Sequence, residues 1–175
     1  TVMRQQKGQH KVQTLMQINQ VLTAAPDPEH ALAGLVDRVE QALVPSLVRL
    51  TILDSSLGLA GLERHDEGCI PADCPPISQA QILEMAHRPD AWLFQEYGES
   101  GDDDWAGHVL SVPLLSGADV VGGLTLARPE DRPRFGRRDA ELLLVFGFQI
   151  ALSLMAAHAQ RRVVALFGDL DRATF

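Results

Sequence analysis

Val109-Leu110-Ser111-Val112-Pro113-Leu114-Leu115-Ser116-Gly117-Ala118-Asp119-Val120-Val121-Gly122-Gly123-Leu124-Thr125-Leu126 is the stretch that decides the fold. Two apolar runs, 109–115 and 120–126, flank Ser116-Gly117-Ala118-Asp119, four residues that favour a turn. The reading is a β-hairpin. Pro113 cannot donate to a ladder, so it belongs at an edge or a bulge.

Working outward, Ala91 to Phe94 reads as a short strand, and residues 96–107 as an acidic, glycine-containing loop. Before them stands a helix with a strong local signature. Ser78 and Gln81 form a capping box, Ile77 and Ile82 can staple across it, and Pro89 closes it. Residues 66–76, with Gly68 and three prolines, read as a loop. Leu59 to His65 is a weaker strand. Leu47 to Leu53 is a clearer one, with Val48, Leu50 and Ile52 on one face and Arg49 and Thr51 on the other. A helix precedes it, N-capped by Asp27, opened by Pro28 and ended by Pro45. Residues 1–24 carry a narrow stripe, Val12, Leu15, Ile18 and Leu22, suited to a seam against another helix. Downstream, Asp139 to Gln160 reads as a long helix, apolar on most sides. The order α-α-β-β-α-β-β-β-α implies an α+β domain, one antiparallel sheet with helices segregated on its faces.

The 175 residues suit one domain with a real core, and 46% are hydrophobic. Acids outnumber bases 23 to 15, for a net charge of −8. That balance argues against nucleic-acid binding by this segment. Two cysteines are too few for a disulfide-stapled scaffold. No uninterrupted apolar run reaches a membrane-spanning length, and no signal-peptide pattern opens the chain. The expectation is a cytoplasmic piece of a larger protein, with no membrane partner.

The segments Ser111-Val112-Pro113-Leu114, Val120-Val121-Gly122-Gly123-Leu124, Phe135-x-x-x-Asp139 and Phe148-Gln149-Ile150-Ala151 together resemble the C-terminal half of GAF domains. Ile82 to Pro89 resembles the lid helix that closes over that family's pocket. The resemblance spans roughly residues 12–160. It implies a GAF/PAS-like central antiparallel sheet, long terminal helices packed together on one face, and a lid helix over a pocket on the other. It divides the chain into a dimerisation helix (1–24), the domain proper (25–160) and a tail or linker to an output domain (161–175). It implies a regulatory, small-molecule-sensing, dimerising domain that controls an attached output domain in signal transduction, and no catalysis by this segment. The alternatives are a ligand-free dimerisation module, part of a nucleotidyl cyclase, or a GAF-fold reductase.

By the same resemblance, the ligand-binding residues are Ile82, Met85, Trp92, Phe94, Trp105, His108, Ser111 and Val121, against the alternative that they simply pack a core. The homodimer interface falls on Val12, Leu15, Ile18 and Leu22 and on the exposed side of helix 139–160. Some relatives that bind cyclic nucleotides carry a Lys–Asp structural tie, and here Arg128 and Asp139 are placed to form the equivalent ion pair. The cysteines are not followed by His, as the pocket cysteine of bilin-binding relatives often is. The resemblance names no ligand or cofactor.

Other chemistry is thinner. His65, Cys69 and Cys74, with Asp73 or His87 as a fourth, are metal-capable, but no metal site is expected from that spacing. The two thiols are a redox pair or unremarkable loop residues. His108 is a haem ligand or a pocket or surface histidine. Asp102-Asp103-Asp104 is a cation site or a solvated loop tip. Catalytic fingerprints for hydrolases, P-loop enzymes, dinucleotide enzymes and zinc proteases are absent from the sequence. Val163 to Leu170, with Thr174 beyond, resembles the first strand of class III nucleotidyl cyclases, where Asp169 would hold a metal. A helix continuing past Arg162 explains the same residues.

Overall fold

The computed structural model describes residues 28–53, 61–98 and 105–173. The expected helix 1–24, with Val12, Leu15, Ile18 and Leu22, lies outside them, as do the turn at 54–56 and the acids at 102–104. In chain order the elements are α1 (Pro28–Leu43), β1 (Leu47–Ile52), β2 (Leu62–His65), α2 (Gln79–Ala86), β3 (Leu93–Tyr97), β4 (Gly107–Ser116), β5 (Asp119–Pro129) and α3 (Arg137–Ala173). The five strands form one sheet in the order β2-β1-β5-β4-β3, every pair antiparallel.

The hairpin is the centre of the molecule. β4 and β5 pair from Gly107–Pro129 to Ser116–Asp119, with a register shift between Leu114 and Leu115. Gly117 takes a positive φ of 61° in the turn, a conformation that suits a residue without a Cβ. Pairing of β4 with β3 stops at Ser111, so Pro113 sits where its missing N–H leaves no ladder bond unmade on that side.

Successive side chains of a strand point to opposite faces. Val48 and Leu50 of β1, Leu110, Val112 and Leu114 of β4, and Leu124 and Leu126 of β5 share one face. There they meet Leu35, Val36, Val39 and Leu43 of α1 and Leu143, Phe146, Ile150 and Leu154 of α3 in the main core. On the other face α2 seats Ile82 and Met85, with Ile77, against the hairpin. The expected capping box of α2 is formed. Gln81 N–H donates to Ser78 Oγ at 3.1 Å, and Ser78 N–H donates to Gln81 Oε1 at 2.9 Å.

Several boundaries shift from expectation, two of them with consequences. The strand read at 91–94 falls at Leu93–Tyr97, because cross-strand pairing with His108 and Gly107 extends it into polar residues. α3 runs unbroken to Ala173, so the strand-like reading of Val163 to Leu170 does not hold. Among the described residues no strand pairs with that segment. α3 is also long and apolar enough, by length and composition, to cross a bilayer. In its most apolar 18-residue window 44% is buried inside the domain, and Leu143, Phe146, Ile150 and Leu154 are among its buried residues.

Gly122 marks the closest approach of β5 to β1. A Cβ there would lie 2.0 Å from the Thr51 carbonyl oxygen, a backbone atom that cannot swing away. Gly122→Ala is therefore expected to destabilise the domain by about 2–3 kcal/mol. Gly68→Ala, with open space around it, should stay within about 0.5 kcal/mol of the parent. Chemical denaturation of both variants checks this, and equal stability would remove the close-approach argument.

Candidate functional site

The alternation that builds the sheet also divides the residues expected to line one pocket. Ile82, Met85 and Ser111 lie together on the α2 face. Ser111 Oγ and Thr125 Oγ1 share a buried hydrogen bond of 3.0 Å there, two residues along β5 from Gly123. The Cβ position of Gly123 is 3.0 Å from Ile82 side-chain carbons, so α2 rests directly on the strand. Trp105 is on the same side, packed on Cys69, Cys74, Leu47, Val109 and Ala127 and tilted against Tyr97 with ring centroids 5.9 Å apart. Phe94 and His108 belong to the opposite face, since they pair in register with Leu110 and Glu96. Val121 and Trp92 pack with the terminal-helix core. The eight residues thus form two groups on two sides of one sheet.

Sequence reading overlooked Arg49, which organises the α2 side of β1. Its side chain is 11% exposed. Nε donates to Glu63 at 2.7 Å, and the two Nη groups donate to the carbonyls of Cys74 at 3.2 Å and Pro71 at 2.6 Å. The loop that carries both cysteines is therefore tied down by one guanidinium. Burial pushes the Cys69 thiol up, and pushes Cys74 up to about 11, with Arg49 opposing both. Thiols held protonated are poor nucleophiles and poor metal ligands. Among the described residues no group of three or more His, Cys, Asp or Glu is placed to hold a metal ion.

Arg128 and Asp139 do not form the expected direct pair. Arg128 donates to the Leu43 carbonyl, the last of α1, and to the Pro133 carbonyl at 3.3 Å. Its guanidinium also sits 4.2 Å from the centre of the Phe135 ring. Asp139 instead accepts from Gly136 N–H at 2.7 Å and caps α3. Both groups are taken by helix ends, whose backbone groups lack partners. The Asp139 charge still reaches Arg128, partly offsetting the burial that lowers its pKa.

Beside Arg128 opens a cavity of about 500 Å³ whose walls include Glu96, His108, Glu130, Arg132, Pro133 and Arg134. His108 is buried, and its Nδ1 lies 2.8 Å from Glu96 Oε2. Arg134 Nε approaches Glu96 Oε1 at 3.6 Å, and Arg132 reaches Asp66 at 3.9 Å. Of these six wall residues, sequence reading singled out only His108. The signal it passed over was the Arg132-Pro133-Arg134 triplet.

No family model matches the chain, and no curated protein matches it. Solved structures do. The GAF domain of a putative sensor histidine kinase from Pseudomonas syringae pv. tomato aligns at a TM-score of 0.64 and 16% identity, covering 94% of this chain and 99% of that one. The GAF domain of an Acinetobacter phosphoenolpyruvate-protein phosphotransferase aligns at 0.61 and 18% identity, covering 87% and 98%. A GAF domain from a Coxiella burnetii phosphoenolpyruvate-protein phosphotransferase aligns at 0.59 and 20% identity, covering 86% and 96%. The chain has the GAF fold.

The thiols provide a pH test. Cys74 is fully buried, with its pKa raised from 9.0 to about 11. In the native protein its reaction with a thiol reagent should be at least about tenfold slower at neutral pH than in the unfolded chain, and should keep rising beyond pH 9. The folded state holds this proton more tightly than the unfolded one. Its contribution to stability is thus complete below pH 9 and is lost as pH rises toward 11. Prompt labelling of two thiols at neutral pH would contradict the buried placement.

Proposed function

We propose that this chain is a regulatory module of a signalling protein, which pairs with a second copy along α3 and passes a ligand-dependent change to an attached output domain. The observation that carries the reading is the second apolar side of α3. At 37 residues the helix is about 55 Å long, and residues 159–173 extend from the domain as exposed helix wherever their exposure is described. Phe148, Leu152, Met155, Ala159, Val163 and Leu166 fall along one side of it, Met155 also touching the main core and the others exposed. Their spacing repeats every eleven residues, 148 to 159, 152 to 163 and 155 to 166. Such a repeat keeps a stripe nearly straight along a helix. Leu152, Val163 and Leu166 are 57%, 49% and 62% exposed.

A stripe of this kind is unfavourable in water, and a symmetric partner covers it with the same residues. One copy of α3 against another buries the stripe from the domain out to its tip. A shift of α3 against the sheet would then move both tips together. The fold neighbours fit this reading, since one is named as a sensor histidine kinase domain. The same seam serves a ligand-free dimerisation module. The tight thiols and the helical tail give no support to a reductase or a cyclase.

Light scattering of the full chain should give twice the 19.1 kDa chain mass. The pair Val163→Glu and Leu166→Glu should shift it to monomer with little change in melting temperature, because both residues stand clear of the core. A parent chain that stays monomeric at high concentration would overturn the reading.

A further inference from the structure

We propose that the cavity between the end of β3 and the β5–α3 loop is a binding site for a small organic oxyanion, a carboxylate or a phosphate ester. It lies on the α1/α3 side of the sheet, away from α2. Its cationic groups are only loosely engaged, each in one long ion pair. The Arg132 and Arg134 guanidiniums stand at ion-pair distances of 3.9 and 3.6 Å from Asp66 and Glu96, and among the described residues neither has a hydrogen-bond partner. A guanidinium presents a planar fork of donors that matches a carboxylate or phosphate. Two such forks two residues apart, on either side of Pro133, face one opening.

The floor agrees with the walls. His108 is 7% exposed, and Glu96 engages its Nδ1. That leaves Nε2 as the ring nitrogen with no partner among the described residues. Glu96 also lies 3.6 Å from Arg134 Nε, so its carboxylate faces a cation as well as the imidazole ring. Arg128, in register with His108 across the hairpin, adds a half-buried positive charge behind it. Glu130 on the exposed rim has no such partner among the described residues. It disfavours multiply charged anions and favours an oxyanion that also carries an amine or hydroxyl donor.

The position has a consequence for the whole fold. Pro133 and Arg134 belong to the short loop that Arg128 holds and that ends at the Asp139 cap of α3. An oxyanion drawing Arg132 and Arg134 inward would pull on the root of α3. That consequence rests on the proposed signalling role; the binding itself does not.

Titration calorimetry of the full chain at about pH 6 with lactate and, separately, inorganic phosphate, both chiefly monoanions there that carry a hydroxyl, at constant ionic strength, tests the site. At least one should saturate with a dissociation constant near or below about 1 mM, and the two arms distinguish the carboxylate from the phosphate source. Arg132→Gln with Arg134→Gln should weaken that binding at least tenfold without lowering the melting temperature. Arg161→Gln with Arg162→Gln removes the same charge elsewhere and should leave binding unchanged. Saturation by neither anion, or equal weakening by both pairs, would overturn the site. A monomeric chain that still binds would sink only the dimer reading, and a dimer that binds neither anion only the site.

Discussion

Two-sided burial of the β4–β5 hairpin is the constraint on which the other elements depend. From Gly107 to Leu114 every residue of β4 is buried, and so are Val121 to Ala127 of β5. A strand covered on one face reads as alternation, whereas one covered on both reads as a continuous apolar run. The hairpin can be covered twice only if helices come from both sides: α1 and α3 on one, α2 on the other. Small residues make the approach close enough. Gly122 admits the β1 backbone, Gly123 admits Ile82, and Gly147 of α3 lies 3.3 Å, at its Cβ position, from Val112.

The same parity determines which side chains can share a site. Ser111 and Thr125 meet across the hairpin because both are odd-numbered members of one register, and His108 meets Glu96 because both face the other way. No adjustment of rotamers brings His108 to α2. A chemical constellation in this fold must therefore be drawn from one face, or from an end of the sheet where loops wrap around it. Arg49 organises one such end and Arg128 another. Each uses its several donors on backbone carbonyls of loops or helix ends, which would otherwise be left without partners. Their contribution comes from satisfying buried acceptors more than from ion pairing, which at surface positions stabilises little.

The fold was legible in the sequence because it is governed by periodicity and punctuation. Ser78 and Gln81 announced α2, Pro28 and Pro45 bracketed α1, and Ser116 to Asp119 turned the hairpin. Where the reading slipped, pairing or packing beyond the window decided the outcome. Gln95, Glu96 and Tyr97 carry no strong strand signal, and join β3 because Val109, His108 and Gly107 lie opposite. The Arg128–Asp139 tie failed because the Leu43 carbonyl, 85 residues away in sequence, competes for the guanidinium. The cavity was invisible for the same reason. Its walls come from β3, β4 and the 129–136 loop, and no local pattern records that they meet. The resemblance pointed at the α2 side, whereas the loosely engaged cations are on the other.

α3 joins these two kinds of information. One side of it is specified by the sheet, which explains Leu143, Phe146, Ile150 and Leu154. The sheet does not explain Leu152, Val163 or Leu166, whose exposure costs solvation free energy in an isolated chain. A helix apolar on one side has a single optimum against the core. A helix apolar on two sides is held by two surfaces at once, and its position is a compromise between them. Small forces at its root then matter, because neither surface alone fixes it. The root is the segment from Pro133 to Asp139, held by Arg128 and the Asp139 cap and flanked by two guanidiniums in long ion pairs. In the proposed reading, a ligand held at the loop where α3 begins would act on the helix at its root.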